Sequence, residues 1–151
     1  MPNRIFRNGS TTPRPRTITD KTVAAALLPG TFVLVGDQLT QATAVDGGRL
    51  AVLGDRDYYS SLGIGGATDP LLTPYKAGES AVAYLPKPDE EFLCAMAAGP
   101  YTYGEELTVG AAGRLSAALE GDTVVAHFDQ PGKTVTAGEL ADVVIANFYT
   151  R

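Results

Sequence analysis

The chain has 151 residues, 44% hydrophobic and 19% charged, with 12 Lys and Arg against 17 Asp and Glu for a net charge of −5. That length suits one domain able to bury a core, and the composition excludes a disordered acidic chain. Seventeen Gly and ten Pro exclude long helices and bundles, the single Cys excludes an internal disulfide, and one Cys with one His leaves too few soft ligands for a zinc cluster. No apolar run comes near the roughly 20 residues of a membrane-spanning helix and the N-terminus lacks a signal-peptide core, which predicts a soluble protein made in a cytoplasm.

Charge is divided by position. Residues 1–19 carry Arg4, Arg7, Arg14 and Arg16 and no acidic side chain, a charge of +4, so residues 20–151 sum to −9. Pro13 and Pro15 fix φ, withhold backbone donors and push their neighbours toward extended backbone. Residues 1–19 are therefore predicted as an extended basic arm without a core of its own, roughly 60 Å at full stretch against a body radius of gyration near 14 Å. Ile5 and Phe6 point to docking rather than to a solubilising tail. Arg4, Ile5, Phe6, Arg7, Arg14 and Arg16 are the candidate partner contacts of the arm. Four arginines give a log–log salt slope of only about −3.6 on nucleic acid, which the acidic body also opposes, whereas carboxylates on a protein partner suit the arginine fork.

The body, residues 20–151, reads as short strands joined by turns. Residues 31–35 (Thr-Phe-Val-Leu-Val) follow a Pro29-Gly30 turn, and residues 39–43 and 50–53 follow across Gly36-Asp37 and Gly47-Gly48, which predicts a β-meander. Residues 54–79 form an irregular loop broken by Gly54, Gly63, Gly65, Gly66, Pro70, Pro74 and Gly78, a length that marks function or mobility. Residues 81–85 are a strand closed by Pro86 and Pro88. Residues 91–97 fit either a strand or a short helix between Asp89-Glu90-Glu91 and Gly99. Two short strands flank the turn at residues 110–113, residues 123–128 form another, and residues 138–148, holding Val143-Val144-Ile145, close a sheet. No repeat of fixed period is visible. The fold class is mainly β: a small antiparallel β-barrel or β-sandwich with an extended N-terminal arm.

The chemistry-bearing residues are few. His127 and Asp129 share one face of an alternating strand and invite a nucleophile–His–Asp reading with Ser60, Ser61, Ser80 or Ser116, but no nucleophile-elbow sequence accompanies them and no catalytic residue is assigned. Asp55-Arg56-Asp57 offers two carboxylates where Ca²⁺ takes roughly six to eight oxygens, and residues 63–68 lack the Gly-Lys-Ser/Thr ending of a phosphate loop. Asp89-Glu90-Glu91 reads as a charged turn and Cys94 as a buried hydrophobe. No metal and no cofactor is assigned. Tyr58, Tyr59, Tyr75, Tyr101 and Tyr103 lie at or beside proposed turns and are candidate partner contacts of the body, ordinary rim packing being the alternative; strand alternation places Tyr101 and Tyr103 on one side.

Several segments occur in a distinctive order: Leu28-Pro29-Gly30-Thr31-Phe32-Val33, then Tyr75-Lys76-Ala77-Gly78-Glu79 before Ala81-Val82-Ala83-Tyr84, then residues 98–108, Gly113-Arg114-Leu115, Val125-Ala126 and Ala141-Asp142-Val143-Val144-Ile145. This order, over roughly residues 18–148, resembles the capsid decoration (cement) proteins of tailed bacteriophages; residues 54–74 match nothing in that pattern. The resemblance implies a strand at residues 91–97 and a homotrimer at threefold or quasi-threefold positions. It also implies a non-enzymatic virion protein on the capsid exterior, made in the host bacterial cytoplasm, with the major capsid protein as partner; composition and charge separately argue against a membrane or nucleic-acid partner. Its task would be to bind the assembled, expanded shell and bridge neighbouring subunits, the arm acting as a strap. Two other readings stand beside it. One is a different virion component, a head-fibre base or a tail-associated β protein; the other is a small-molecule-binding β-barrel or hydrolase with residues 54–74 as its lid.

Overall fold

The computed structural model describes residues 5–8, 15–45, 48–55 and 71–151. The chain first forms β1 (Arg16–Thr22), β2 (Phe32–Val35), β3 (Leu39–Gln41), β4 (Leu50–Leu53) and β5 (Ser80–Leu85), an antiparallel sheet in the order β1-β5-β4-β2-β3. It continues through β6 (Glu91–Ala95), β7 (Gly99–Tyr101), β8 (Glu106–Val109), β9 (Leu115–Ala117), β10 (Thr123–Phe128), β11 (Lys133–Val135) and β12 (Leu140–Thr150). Here the sheet order is β6-β12-β10-β8-β9, with β7 and β11 paired separately. Both sheets curl until their edges meet. Val23, just past β1, bridges Leu39 in parallel, and Met96, just past β6, bridges Leu115 in parallel.

The period-2 alternation of the strands sorts side chains between two cores. Val33, Ala51, Leu53, Ala81 and Ala83 turn into the first curled sheet, where they meet Val23, Leu39 and Tyr75. Phe32, Leu50 and Val52, from the opposite face, join Phe92, Met96, Leu107, Leu115, Phe128 and Val143 in the larger core of the second sheet. This double burial is why β4 reads Leu-Ala-Val-Leu without a polar residue, as strands covered on both faces do. Each fully buried Phe or Leu contributes about 1.5–3 kcal/mol.

The two sheets are copies of one plan. Taken within each half and leaving out β7 and β11, both run first-fifth-fourth-second-third, and their registers correspond. Val35 faces Leu39 as Val109 faces Leu115. Leu53 faces Ala83 as Phe128 faces Val143, and Lys21 faces Ala81 as Cys94 faces Ala141. Loop hydrogen bonds match as well. The amide of Gly30 donates to Leu53 O (2.8 Å) and that of Gly104 to Phe128 O (2.7 Å); Gly78 donates to Val23 O and Gly138 to Met96 O, both at 2.8 Å. Gly30, Gly104, Gly78 and Gly138 all have φ between 83° and 86°. With the matches in hand, a shared Ala-Gly-Glu-x-Ala stands out at residues 77–81 and 137–141, its glutamate capping the preceding turn through the amides of Lys76 and Thr136. No fixed period marks this duplication because the stretch between Leu53 and Gly78 far exceeds its counterpart between Phe128 and Gly138.

The mainly β fold follows the sequence reading, and residues 91–95 form a strand. The arm does not. Ile5 is fully buried, Phe6 bridges Phe92, and the amide of Leu93 donates to Ile5 O (2.7 Å) while that of Arg7 donates to Glu91 O (2.8 Å). The side chain of Asn8 accepts from the Glu91 amide (2.6 Å) and Arg7 Nε donates to Asp142 Oδ1 (2.9 Å). Residues 5–8 thus close the outer edge of β6, and Arg16 opens β1, so the described part of residues 1–19 belongs to the body. The apolar pair Ile5-Phe6 finds its own core before any partner. The predicted positions Arg4 and Arg14 lie outside the described residues.

Candidate functional site

Among the described residues no three His, Cys, Asp or Glu side chains gather as metal ligands. Surface chemistry is concentrated on the outer face of β8, β10 and β12. Cross-strand register sets Glu106 beside His127 and His127 beside Val144. The Tyr149 hydroxyl donates to Glu106 Oε2 (2.6 Å) and lies 3.4 Å from His127 Nε2, with its ring stacked on the imidazole at 6.1 Å. Arg151 donates from Nε to Glu106 Oε1 (3.1 Å) and from Nη1 to Ala118 O (2.9 Å). At the rim, the exposed Tyr103 donates its hydroxyl to Asp129 Oδ1 (3.1 Å).

The electrostatics follow from these bonds. The Tyr149 hydroxyl, then Arg151, hold Glu106 below the usual carboxylate range. The bond to Glu106 raises Tyr149, and the bond to Asp129 raises Tyr103. His127 Nδ1 sits 3.4 Å from Gly104 O, and Asp129 is taken by Tyr103, so no His–Asp relay forms although His127 lies near the end of β10 and Asp129 just past it. The cluster therefore sets two stacked rings and a paired carboxylate and guanidinium on an exposed strand face.

The other predicted contacts separate. Tyr75 is buried, its hydroxyl donating to Gly54 O (3.2 Å) and Asp55 O (2.8 Å). Tyr101 is buried against Phe128 and donates to Ala97 O (2.8 Å). Tyr101 ends β7 while Tyr103 lies in the turn closed by Glu105 N to Thr102 O, so the alternation expected to pair them stops between the two. Tyr58 and Tyr59, with Ser60, Ser61 and residues 63–68, lie outside the described residues. Burial pushes the Cys94 thiol well up, as befits a core residue. Sequence reasoning missed Tyr149, Glu106 and Arg151. A strand running past Phe148 was the available signal, but pairing of Thr150 with Thr123 carries it there only in the folded sheet.

Duplication explains why this face is open. In the first half the matched positions are Phe32 for Glu106 and Val52 for His127, and they are buried in the shared core. The second half presents the same face to solvent with polar residues.

No protein-family profile matches the chain, and no curated protein matches it in sequence. Among solved structures, the head fiber gp8.5 N base of bacteriophage phi29 is similar, with a TM-score of 0.51 over 90% of this chain and 98% of that one. The two share a fold. Their identity is 12%, so the likeness to the head-fibre base is one of architecture.

Proposed function

We propose that this protein is a non-enzymatic structural component of a phage particle, seated on the outside of the head as the base of a fibre. The observation that carries this reading is the fold shared with the phi29 head-fibre base over nearly the full length of both chains. The place of the N-terminal residues also supports a base over a strap: Ile5, Phe6 and Arg7 are engaged on their own body and do not extend toward a neighbour. The face carrying Tyr103, His127 and Tyr149 is the surface we assign to assembly contacts, with the major capsid protein as the partner and a homotrimer as the assembled form. A shell-bridging decoration protein is the second reading, favoured by the order of segments over residues 18–148.

Cryo-electron microscopy of particles with and without the protein tests both. A protruding density that disappears with the protein supports the fibre base, and a flush density spanning neighbouring capsomers supports the decoration reading. Purified particles that contain none of this chain by mass spectrometry would exclude both.

A further inference from the structure

At the junction of the two halves lies a cleft of about 350 Å³, walled by Val45, Leu50, Leu85 and Pro86, with Arg49 and Phe148 also facing it. That volume lies within the range of small binding sites, which favour domain junctions. Two features of this cleft bear on what it can bind. The first is Phe148, whose φ of 52° lies in the left-handed region that aromatic residues rarely adopt. It sits in an irregularity where Val124 faces Tyr149 but Ala126 faces Ile145, leaving extra residues on β12. Such bulges re-aim side chains. The matched strand β5 stops at Leu85 before Pro86, so this extension is an addition to the second half. Core burial offsets that strain only in part, because Phe148 is 41% exposed. Backbone strain of this kind clusters at functional sites.

The second feature is Arg49. Its carbonyl accepts from the Val35 amide (2.9 Å), which anchors its backbone, while its guanidinium meets no carboxylate among the described residues. An arginine fork beside an apolar wall suits a carboxylate next to a bulky apolar group.

We propose that this cleft is a docking site for an extended segment of a partner protein, which sets a bulky apolar side chain against Phe148, Leu50 and Leu85 and an adjacent acidic side chain on Arg49. The charge complementarity of Arg49 with an acidic residue selects this occupant. The site is independent of where the protein sits on a particle.

Titration of the full chain by NMR with the peptides acetyl-Ala-Leu-Glu-Ala-amide and acetyl-Ala-Leu-Gln-Ala-amide tests it. Saturable amide shifts should gather at Arg49, Leu50, Leu85 and Phe148, with the glutamate peptide bound about fivefold tighter, the size of one exposed charge pair. Arg49→Gln should make the two peptides equal. Phe148→Gly should weaken both about tenfold while the melting temperature holds or rises, since glycine adopts this backbone without strain. Equal binding of the two peptides by the wild type, no saturable shift, or a marked fall in melting temperature with Phe148→Gly would each overturn the proposal. So would phenylacetate binding as tightly as the glutamate peptide, which assigns the cleft to small molecules, or protein-concentration-dependent shifts at the same residues without peptide, which assign it to a second copy.

Discussion

At the scale of single residues, the duplication supplies matched experiments. Gly30 and Gly104 hold the same turn with φ of 86° and 83°, but a Cβ on Gly30 would lie 2.6 Å from Leu140 Cδ2 and 3.2 Å from Leu93 O, whereas one on Gly104 meets open space. Gly104→Ala should cost about 1–2 kcal/mol, the backbone strain alone. Gly30→Ala should cost a further 1–3 kcal/mol or so from overpacking between the halves, and urea unfolding of the two variants isolates that contact. The Glu106 cluster makes a second prediction. Glu106 has a lowered folded-state pKa, so its contribution is fully present above the ordinary carboxylate range and is lost as pH falls from that range through the lowered folded-state value. The stability difference between wild type and Glu106→Gln should be flat near neutrality and shrink below about pH 5 when urea midpoints are followed with pH. Tyr101 and Tyr103 show the limit of residue-level reading: two tyrosines two positions apart, one buried and one exposed, because a turn intervenes.

At the scale of elements, β2, β4, β5 and β10 were legible because β-branched and apolar runs bounded by Gly or Pro describe strands locally. The pair β7 and β11 was not: Gly99-Pro100-Tyr101 has little strand character, and only its pairing with residues 133–135 makes it one. The N-terminal segment shows the same dependence. Its composition described an extended segment with an apolar pair, but the edge it would close lay more than eighty residues away in sequence. Removing residues 1–8 should leave a folded protein about 2–3 kcal/mol less stable, mostly through loss of the buried Ile5. Hydrogen exchange should accelerate at the amides of Glu91 and Leu93, which lose Asn8 and Ile5, while the Ala95 amide stays protected by Gly30 O (3.0 Å). Unchanged exchange at Leu93 would show that residues 5–8 do not close this edge in solution.

At the scale of the whole molecule, the two halves share a plan but not a role. The first buries both faces of β2 and β4 and depends on the second to cover Phe32, Leu50 and Val52. The full chain should therefore unfold in one calorimetric transition, with calorimetric and van't Hoff enthalpies equal. Residues 15–86 expressed alone should expose that apolar face and bind a hydrophobic dye; two separate transitions in the full chain would contradict this dependence. The sequence by itself determined the β class, most strand positions, the turns and the lack of a recognisable catalytic motif, since these rest on side-chain periodicity and backbone preference, which act within a few residues. Tertiary structure alone decided that the chain is a duplicated sheet, that its N-terminus closes its own edge, and which aromatic rings face outward. Those outcomes depend on hydrogen bonds and burial between segments far apart in the chain, and the loops that separate them differ too much in length between the halves to leave a regular trace.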